Sequence, residues 1–368
     1  MHAAIALLMS WCAAAPAAEV RVKTVVWERA SQITVDPYGV YGRMARLAGG
    51  DLLCAFDATG KTWVRRSADN GKTWSDRTLA AACAYGAATN GELLVLPGGR
   101  VLLAYNERPR DKTHAFAIRV AASDDGGRSW GEGKTVFAAG AEFENGCWEP
   151  APLLLPTGEI QLFFANEGPY RTTNEQEISL LHSSDGGATW TAPQTVAFRK
   201  NHRDGMPVPA LLAGDRGIAL AIEDDGLSGA FKPVIVHTPA AQRWKGAPVD
   251  GKSSRRWGAL KHPFAPEVYA GAPYLRRLPS GETVLSCQSN EGGRRKPHMT
   301  VFVGDPAARN FDGMSVPFDV PPDTAASWGS LFVKDEKTVT AVSSVQGRGI
   351  QAIDGRIELA PCKECAGR

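Results

Sequence analysis

The sequence predicts an all-β chain built from a repeated unit. A Ser-x-Asp-x-Gly-x-x-Trp pattern begins at Ser67, Ser123 and Ser183, with spacings of 56 and then 60 residues. Apolar runs come in pairs joined by short turns that contain Gly or Pro, as in antiparallel hairpins. The 39 glycines and 24 prolines fall mostly between these runs, and long helical periodicity is hard to find. Near-constant spacing indicates an internal repeat, so the 368 residues are expected to form one closed array.

The repeated unit is most complete between Glu144 and Trp190. Two apolar runs, 151–155 and 159–165, are joined by a Pro-Thr-Gly turn, and a third strand is predicted over 177–182. The Ser-x-Asp-x-Gly-x-x-Trp segment then closes the unit. In such a turn the Ser and Asp side chains can accept bonds from nearby amides, Gly can take a positive φ, and Trp can pack on the sheet.

The predicted hairpins give the number of units. Six are expected, over 43–57, 92–107, 149–167, 206–223, 271–288 and 330–344. A short strand over 24–29 precedes them. A degenerate fourth copy of the closing pattern is expected over 237–244, where only the Trp is retained.

The closing pattern resembles the Asp-box, or bacterial neuraminidase repeat, of the sialidase superfamily. The resemblance implies a β-propeller whose Asp-box turns lie at the outside of the ring, away from the active site. Six hairpins then predict a single six-bladed propeller domain over residues 19–368. We expect the strand at 24–29 to complete the last blade and to close the ring, because this removes exposed sheet edges.

The first 18 residues predict a signal peptide. An apolar core at 5–9 is followed by small residues that end in Ala15-Pro16-Ala17, an Ala-x-Ala cleavage pattern. The mature protein is therefore expected to be exported, to the periplasm or beyond the cell. No later apolar run has the length of a membrane span. We expect a monomer with a glycan substrate and no nucleic-acid partner.

The cysteines indicate no metal or redox centre. Cys54 and Cys287 each lie in a predicted apolar strand, where a buried thiol is expected. Cys362 and Cys365 form a lone Cys-x-x-Cys, for which a local disulfide or no bond at all is expected. Because no metal-ligand spacing and no Gly-rich phosphate loop are found, no metal and no cofactor are predicted.

A propeller brings the starts of its innermost strands together at one end of the ring, which we call the mouth. The segments expected there are 41–43, 89–92, 147–150, 203–207, 269–274 and 327–330. The second strands should return acidic residues to the mouth: Asp57, Glu107, Glu167, Glu223 and Glu291. Carboxylates with aromatic rings suit a sugar, because rings stack on its apolar face while carboxylates act as acid, base or nucleophile.

Two segments resemble the exo-arabinanase branch of the sialidase-like propellers, glycoside hydrolase family 93. They are Trp148-Glu149-Pro150 and Arg203 to Pro207 followed by Ile222-Glu223. The resemblance implies a retaining, exo-acting α-L-arabinanase-like hydrolase whose catalytic pair is Glu149 and Glu223. We assign Glu149 as nucleophile and Glu223 as acid/base. The predicted substrate-binding residues are Arg43, Asn90, Glu92, Trp148, Glu167, Arg203, Asp204, Tyr269 and Trp328.

Two other functions stay open on the sequence alone. A sialidase would bind its substrate's carboxylate with three arginines, of which Arg43 resembles the first. Candidates for the others are Arg256, Arg276, Arg277, Arg294 and Arg295. Alternatively, the propeller could bind glycans or proteins without catalysis. The basic stretch 240–266 is interpreted either as a solvated loop or as a rim that attracts acidic glycans.

Overall fold

The computed structural model describes residues 21–361, which form 25 strands, β1 to β25, and three short 3-10 turns. The strands make six antiparallel sheets arranged as a six-bladed β-propeller, so the predicted fold is confirmed. In blades 1 to 5 the four strands follow one another along the chain, from the innermost to the outermost.

The first three blades have the following strands. Blade 1 contains β3 Val40–Arg46, β4 Leu52–Ala58, β5 Lys61–Ser67 and β6 Thr78–Ala81. Blade 2 contains β7 Gly86–Val95, β8 Val101–Pro109, β9 Ala117–Ser123 and β10 Lys134–Ala138. Blade 3 contains β11 Cys147–Leu154, β12 Ile160–Asn166, β13 Glu177–Ser183 and β14 Gln194–Ala197.

The other three blades repeat the arrangement. Blade 4 contains β15 Asp204–Leu211, β16 Ile218–Asp224, β17 Lys232–Thr238 and β18 Arg256–Gly258. Blade 5 contains β19 Ala270–Arg277, β20 Thr283–Ser289, β21 His298–Gly304 and β22 Asp312–Ser315. Blade 6 contains β23 Ala326–Val333, β24 Thr338–Val345 and β25 Gly349–Pro361, to which β1 Arg21–Trp27 and β2 Ile33–Asp36 are added.

The ring is closed by the first strand of the described chain. Strand β1 pairs antiparallel with β25, from Arg21 opposite Pro361 to Trp27 opposite Gly355. The Trp27 indole N–H also donates to Ser315 Oγ in blade 5, at 3.2 Å. This confirms that an N-terminal strand completes the last blade, although it begins three residues earlier than the sequence predicted.

The hydrophobic core is a set of layers between neighbouring blades. Every residue of β4, β12, β20 and β24 is buried, because each of these second strands has another blade on either face. The sequence therefore shows mostly apolar runs in β4 and β12, and polar residues among apolar ones in β20 and β24, instead of the regular alternation of a half-exposed strand.

The Asp-box turns join the third and fourth strands at the end of the blade opposite the mouth. In blade 1 the Ser67 hydroxyl donates to Asp69 Oδ1 at 2.8 Å, and the Thr73 N–H donates to the same oxygen at 2.9 Å. The Gly71 N–H donates to Ser67 Oγ. Hydrogen bonds from Thr73 and Ser67 hold the pKa of the Asp69 carboxyl far below its usual range. These turns are structural, as the resemblance implied.

Two degenerate copies occupy the same place in blades 4 and 5. In blade 4 the Trp244 N–H donates to Thr238 Oγ1 at 2.9 Å, and the buried indole meets Phe163 edge-on. In blade 5 the Asp305 carboxylate accepts the N–H groups of Ala307 and Arg309, and Phe311 is buried nearby. The sequence pattern missed this second copy because its Ser and Trp positions hold Gly304 and Phe311, and its Asp and Gly positions hold Pro306 and Ala308.

Cys54, Cys147 and Cys287 are buried free thiols, as expected for Cys54 and Cys287. The predicted signal peptide and the pair Cys362 and Cys365 lie outside the described residues. Within residues 21–361, no helix is both long and apolar enough to cross a membrane.

Candidate active site

Each innermost strand carries the same β-bulge at the mouth. The pairing register shifts near the start of β3, β7, β11, β15, β19 and β23. One non-glycine residue in each bulge has a positive φ, between 47° and 61°: Tyr41, Asn90, Glu149, Met206, Ala272 and Trp328. Such backbone strain costs of order 1 kcal/mol per residue and concentrates at functional sites. Tyr41, Met206 and Ala272, from three blades, form one buried cluster, so the bulges meet at the axis.

The preceding blade caps most of these bulges. In five of them a side chain at the end of the previous second strand accepts the N–H of the positive-φ residue, at 2.7 to 2.8 Å. The acceptors are Asp57, Asn106, Glu223, Gln288 and Ser344. An uncapped amide at this depth would lose its hydrogen bond to water without replacement. The polar residues at the ends of these five second strands therefore have a structural role in the fold itself.

Glu149 projects from its bulge with a free carboxyl group. Its side chain is 18 % exposed, and Arg108 Nη2 lies 3.9 Å from Oε1. Within residues 21–361 no donor hydrogen-bonds to either carboxyl oxygen. Burial raises the pKa of Glu149 to about 7, the Arg108 charge opposes the rise, and the charges of Glu223 and Glu167 add to it.

Asn106 fixes the backbone that carries Glu149. Its Oδ1 accepts the Glu149 N–H at 2.8 Å, and its Nδ2 donates to the Cys147 carbonyl at 2.6 Å. Asn106 is fully buried. This two-point contact holds Glu149 at a φ of 48°, a conformation that a glutamate rarely adopts unsupported.

The carboxylate of Glu223 is held by a hydrogen bond, in contrast to the free carboxyl group of Glu149. Glu223 Oε2 accepts the Ala272 N–H at 2.7 Å. A Cβ at Gly271 would lie 2.5 Å from Oε2, and one at Gly205 would lie 3.0 Å from Oε1, so both glycines make room for the carboxylate. Burial raises the pKa of Glu223 to about 6, against the Ala272 hydrogen bond and the Arg203 charge, which lower it.

Arg203 and Glu167 lie beside this pair. Arg203 donates to Asn174 Oδ1 at 2.9 Å, and its other terminal nitrogen binds both Glu167 and Gln176. The Arg203 charge lowers the pKa of both Glu149 and Glu223. The structure thus brings four of the predicted site residues together.

Arg43 and Glu92 lie beneath the mouth, in the axis of the ring. Arg43 is buried, with Nε 3.3 Å from Glu92 Oε2 and its guanidinium over the Tyr41 ring at 3.7 Å. The Tyr274 hydroxyl donates to Glu92 Oε1 at 3.0 Å, and Arg276 Nη2 is 3.6 Å away. The charges of Arg43 and Glu92 are therefore already paired within the protein.

Asp204 and Trp148 are packed inside the ring. Both Asp204 oxygens accept from Arg256, which also binds Asp224. Burial raises the pKa of Asp204 to about 6, although Arg256 opposes the rise. The Trp148 ring lies 5.0 Å from Phe116. These contacts give both residues a structural role, and their contact with substrate stays a prediction.

The basic stretch 240–266 does not act as one cationic surface. Arg256 is buried against Asp204 and Asp224, and Lys261 Nζ binds Asp312 at 2.7 Å. Residues 240–255 connect β17 to β18, at the end of blade 4 opposite the mouth.

Asn90, Tyr269 and Trp328 line the mouth. The Trp328 side chain is 43 % exposed and lies 6.4 Å from the Tyr41 ring. Tyr269 is half-buried, its hydroxyl accepts from Gln288 Nε2 at 2.9 Å, and burial with the Glu223 charge raises its pKa above the usual range. Asn90 Oδ1 accepts from Arg108. Within residues 21–361 no cluster of His, Cys, Asp or Glu is arranged to hold a metal ion.

Arg108 and Asn106, which contact or position Glu149, were not among the predicted site residues. No motif marks either residue, since both lie in an ordinary-looking second strand. A signal for the bulges was nevertheless present, because Gly or Pro follows the positive-φ residue in each of the six bulges. The six pairs are Tyr41-Gly42, Asn90-Gly91, Glu149-Pro150, Met206-Pro207, Ala272-Pro273 and Trp328-Gly329.

Comparison with known proteins agrees with the fold. Residues 108–303, more than half of the chain, match the BNR repeat-like domain. The chain belongs to the BNR repeat-like family. No curated protein sequence matches this BNR repeat-like protein.

Solved structures share the fold of this BNR repeat-like protein at low identity. An α-L-arabinofuranosidase of Fusarium graminearum has a TM-score of 0.68 and 21% identity, over 91% of this chain and 97% of that one. An α-L-arabinanase of Penicillium chrysogenum, in complex with arabinobiose, has a TM-score of 0.64 and 18% identity, over 94% of this chain and 99% of that one. A Hadza microbial sialidase has a TM-score of 0.61 and 15% identity, over 89% of this chain and 66% of that one. The expected relationship to the sialidase superfamily, with family-93-like neighbours, is confirmed for the fold.

Proposed function

We propose that the protein is a glycoside hydrolase that uses Glu149 and Glu223 as its two catalytic carboxyl groups. The observation that carries this proposal is a pair of partly buried glutamates at one mouth, one free and one anchored, whose pKa values are raised to about 7 and about 6. Glycosidic bond cleavage needs one carboxyl group protonated and the other ionised. The two environments supply that difference near neutral pH.

The contacts favour Glu149 as the acid/base and Glu223 as the nucleophile, the reverse of the roles assigned from the sequence. Glu149 has the higher pKa and no donor on its oxygens, so it can hold a proton and give it to the leaving oxygen. Glu223 accepts the Ala272 N–H and feels the Arg203 charge, which favour its carboxylate form. Its anchored Oε2 leaves Oε1 to attack the sugar.

A neutral terminal sugar fits this mouth better than a sialic acid. Binding a substrate carboxylate would need arginine charges that no carboxylate of the protein already neutralises, yet Glu92 lies 3.3 Å from Arg43 and 3.6 Å from Arg276. The similarity to the Fusarium arabinofuranosidase and the Penicillium arabinanase supports an arabinofuranosyl unit as the sugar that is released. Release from a chain end with retention is what the resemblance of the segments around Glu149 and Glu223 to glycoside hydrolase family 93 implies. The Ala-x-Ala pattern at 15–17 supports export of the enzyme.

Turnover of a substrate panel tests the activity. We expect hydrolysis of an aryl α-L-arabinofuranoside and of arabinan oligosaccharides, and none of a sialoside. Release of sialic acid would replace the arabinanase proposal by the sialidase one. Binding of these glycans without turnover would indicate a non-catalytic propeller.

The roles are tested with Glu149→Ala and Glu223→Gln. On an aryl glycoside with a good leaving group, Glu149→Ala should keep part of its activity and be accelerated by azide, giving a product of retained configuration, because that substrate needs little protonation. Glu223→Gln keeps an acceptor for the Ala272 N–H but should be inactive. Glu132→Gln, on a side chain 95% exposed between the blade 2 Asp box and β10, is the control. The opposite pattern would restore the sequence-based roles.

A further inference from the structure

The exposed large hydrophobic side chains are concentrated at the mouth. In residues 21–361 they are Val26, Tyr38, Val40, Leu79, Phe143, Leu227, Trp328 and Leu359. Five of these lie at or just before the start of an innermost strand or between a second and a third strand, so they belong to the mouth. Val26, Leu79 and Leu359 lie on the outer strands β1, β6 and β25. This uneven distribution indicates a binding surface around the candidate active site.

Tyr38, Val40 and Trp328 are the exposed hydrophobic side chains of the mouth on blades 1 and 6, and we call these three residues the distal platform. Their exposed fractions are 81 %, 47 % and 43 %. Tyr41 connects the platform to the catalytic side of the mouth, because its ring lies 6.4 Å from Trp328 and also packs with Met206 and Ala272. The floor of the mouth therefore continues from the catalytic pair to the platform.

The backbone beneath the platform is rigidly held although its side chains are exposed. The Tyr38 N–H donates to Asp36 Oδ1 at 2.9 Å. The buried Asp36 carboxylate is itself bound by Arg65 at 3.0 Å and by Arg77 at 2.6 Å. On blade 6, the Trp328 N–H donates to Gln288 at 2.7 Å. Aromatic rings on a fixed backbone can stack on a ligand with little loss of conformational freedom.

The platform lies across the ring from the carboxyl groups. Glu149 belongs to blade 3, and Glu223 to blade 4 with its anchor in blade 5. A ligand that touches both the pair and the platform has to cross the mouth over Tyr41. Three side chains are far short of the roughly 800 Å² that each partner buries in a stable protein interface, so a second protein is the less suitable occupant.

We infer that Tyr38, Val40 and Trp328 form a second sugar-binding subsite, which holds a further unit of a neutral oligosaccharide whose scissile bond lies at Glu149 and Glu223. The inference rests on the proposed function and specifies its substrate as a chain of several sugars. Aromatic rings and a valine offer apolar contact to sugar faces and no charge to select an acidic unit.

The test compares a short with a long substrate in Tyr38→Ala. The kcat/KM for arabinan oligosaccharides longer than arabinobiose is divided by that for an aryl α-L-arabinofuranoside. Loss of one stacking ring should lower this ratio by about tenfold. Tyr38→Phe keeps the ring and should restore the ratio. Leu79→Ala, on a side chain of similar exposure to Trp328 on the outer strand β6, is the matched control and should leave the ratio unchanged.

Failure of the inference and failure of the proposed function give different results. An unchanged ratio in Tyr38→Ala, with hydrolysis intact, overturns the subsite and leaves the hydrolase. If the wild-type protein hydrolyses neither substrate, the hydrolase proposal fails, and calorimetric titration with the same oligosaccharides decides the subsite. Weaker oligosaccharide binding by Tyr38→Ala than by Leu79→Ala would then support it. Equal binding, or no binding by the wild type, would overturn it.

Discussion

Replacing Glu149 by glutamine should stabilise the protein at alkaline pH while it removes the proposed acid. Burial raises the pKa of Glu149 from 4.5 to about 7, so the ionised side chain is about 3 kcal/mol less favourable in the folded protein than in the unfolded chain. The folded state therefore binds the proton of the Glu149 carboxyl group more tightly than the unfolded chain does. Stability from this group is therefore full below the unfolded pKa and falls as the pH rises through the interval from 4.5 to about 7.

Glutamine cannot ionise, so the variant does not undergo this loss. The difference in unfolding free energy between Glu149→Gln and wild type should be near zero below pH 4.5 and reach about 3 kcal/mol in favour of the variant above pH 7. Urea denaturation at an acidic and an alkaline pH measures it, with Glu132→Gln as the exposed control. A difference of the same size at both pH values, or a variant less stable at alkaline pH, would refute the reasoning.

Three further predictions follow from the capped bulges and the Asp-box turns. Below pH 4.5, where Glu223 holds its proton and its replacement removes no buried charge, Glu223→Ala should lose about 1–3 kcal/mol of stability because the buried Ala272 N–H is left without an acceptor, whereas Glu223→Gln should unfold near the wild-type midpoint. Equal denaturation midpoints for Glu223→Ala and wild type would contradict the cap. Asn106→Leu removes both hydrogen bonds that hold residues 147–149, so kcat should fall together with stability. Asn106→Asp keeps the acceptor for the Glu149 N–H, and its negative charge should raise the pKa of Glu149 and so shift the basic limb of the kcat/KM pH profile to higher pH. An unchanged profile would show that Asn106 does not act through Glu149. Asp69→Ala removes the hydrogen bonds of the blade 1 Asp box, at the end of the blade opposite the mouth, so the variant should unfold at a lower temperature with kcat/KM unchanged. A loss of activity in the folded variant would contradict a purely structural role.

Local rules predicted the architecture well. Ser67, Asp69 and Thr73 make an Asp box through bonds within a few residues, so the pattern can be recognised in the chain without knowledge of its neighbours. The hairpins were found for the same reason, since their turns and apolar runs are continuous in sequence. Where the local chemistry changed, as at Gly304 and Phe311 in blade 5, the repeat escaped detection although the backbone still forms the turn.

The candidate site was only partly predictable. The sequence identified Glu149, Glu223, Glu167 and Arg203 as mouth residues, because strand starts and strand ends have defined positions in a propeller. It could not show that Arg43 and Glu92 use their charges on each other and on Tyr274, or that Asp204 is bound by Arg256, 52 residues further along the chain. Pairing of buried charges depends on which blades face each other across the ring.

The sequence by itself determined the number of blades, the positions of their turns and the strand that closes the ring, because each depends on contacts between residues close in the chain or on the need to pair an edge strand. Only the tertiary structure decided the contrast between the two glutamates. Glu223 occupies a position that Asp57, Asn106, Gln288 and Ser344 fill in other blades as acceptors for the next bulge, and so it is anchored. Glu149 is itself a bulge residue, held through its backbone by Asn106, and so its carboxyl group is free. The difference between the two carboxyl groups depends on hydrogen bonds between neighbouring blades, and these form only when the folded ring brings the blades together.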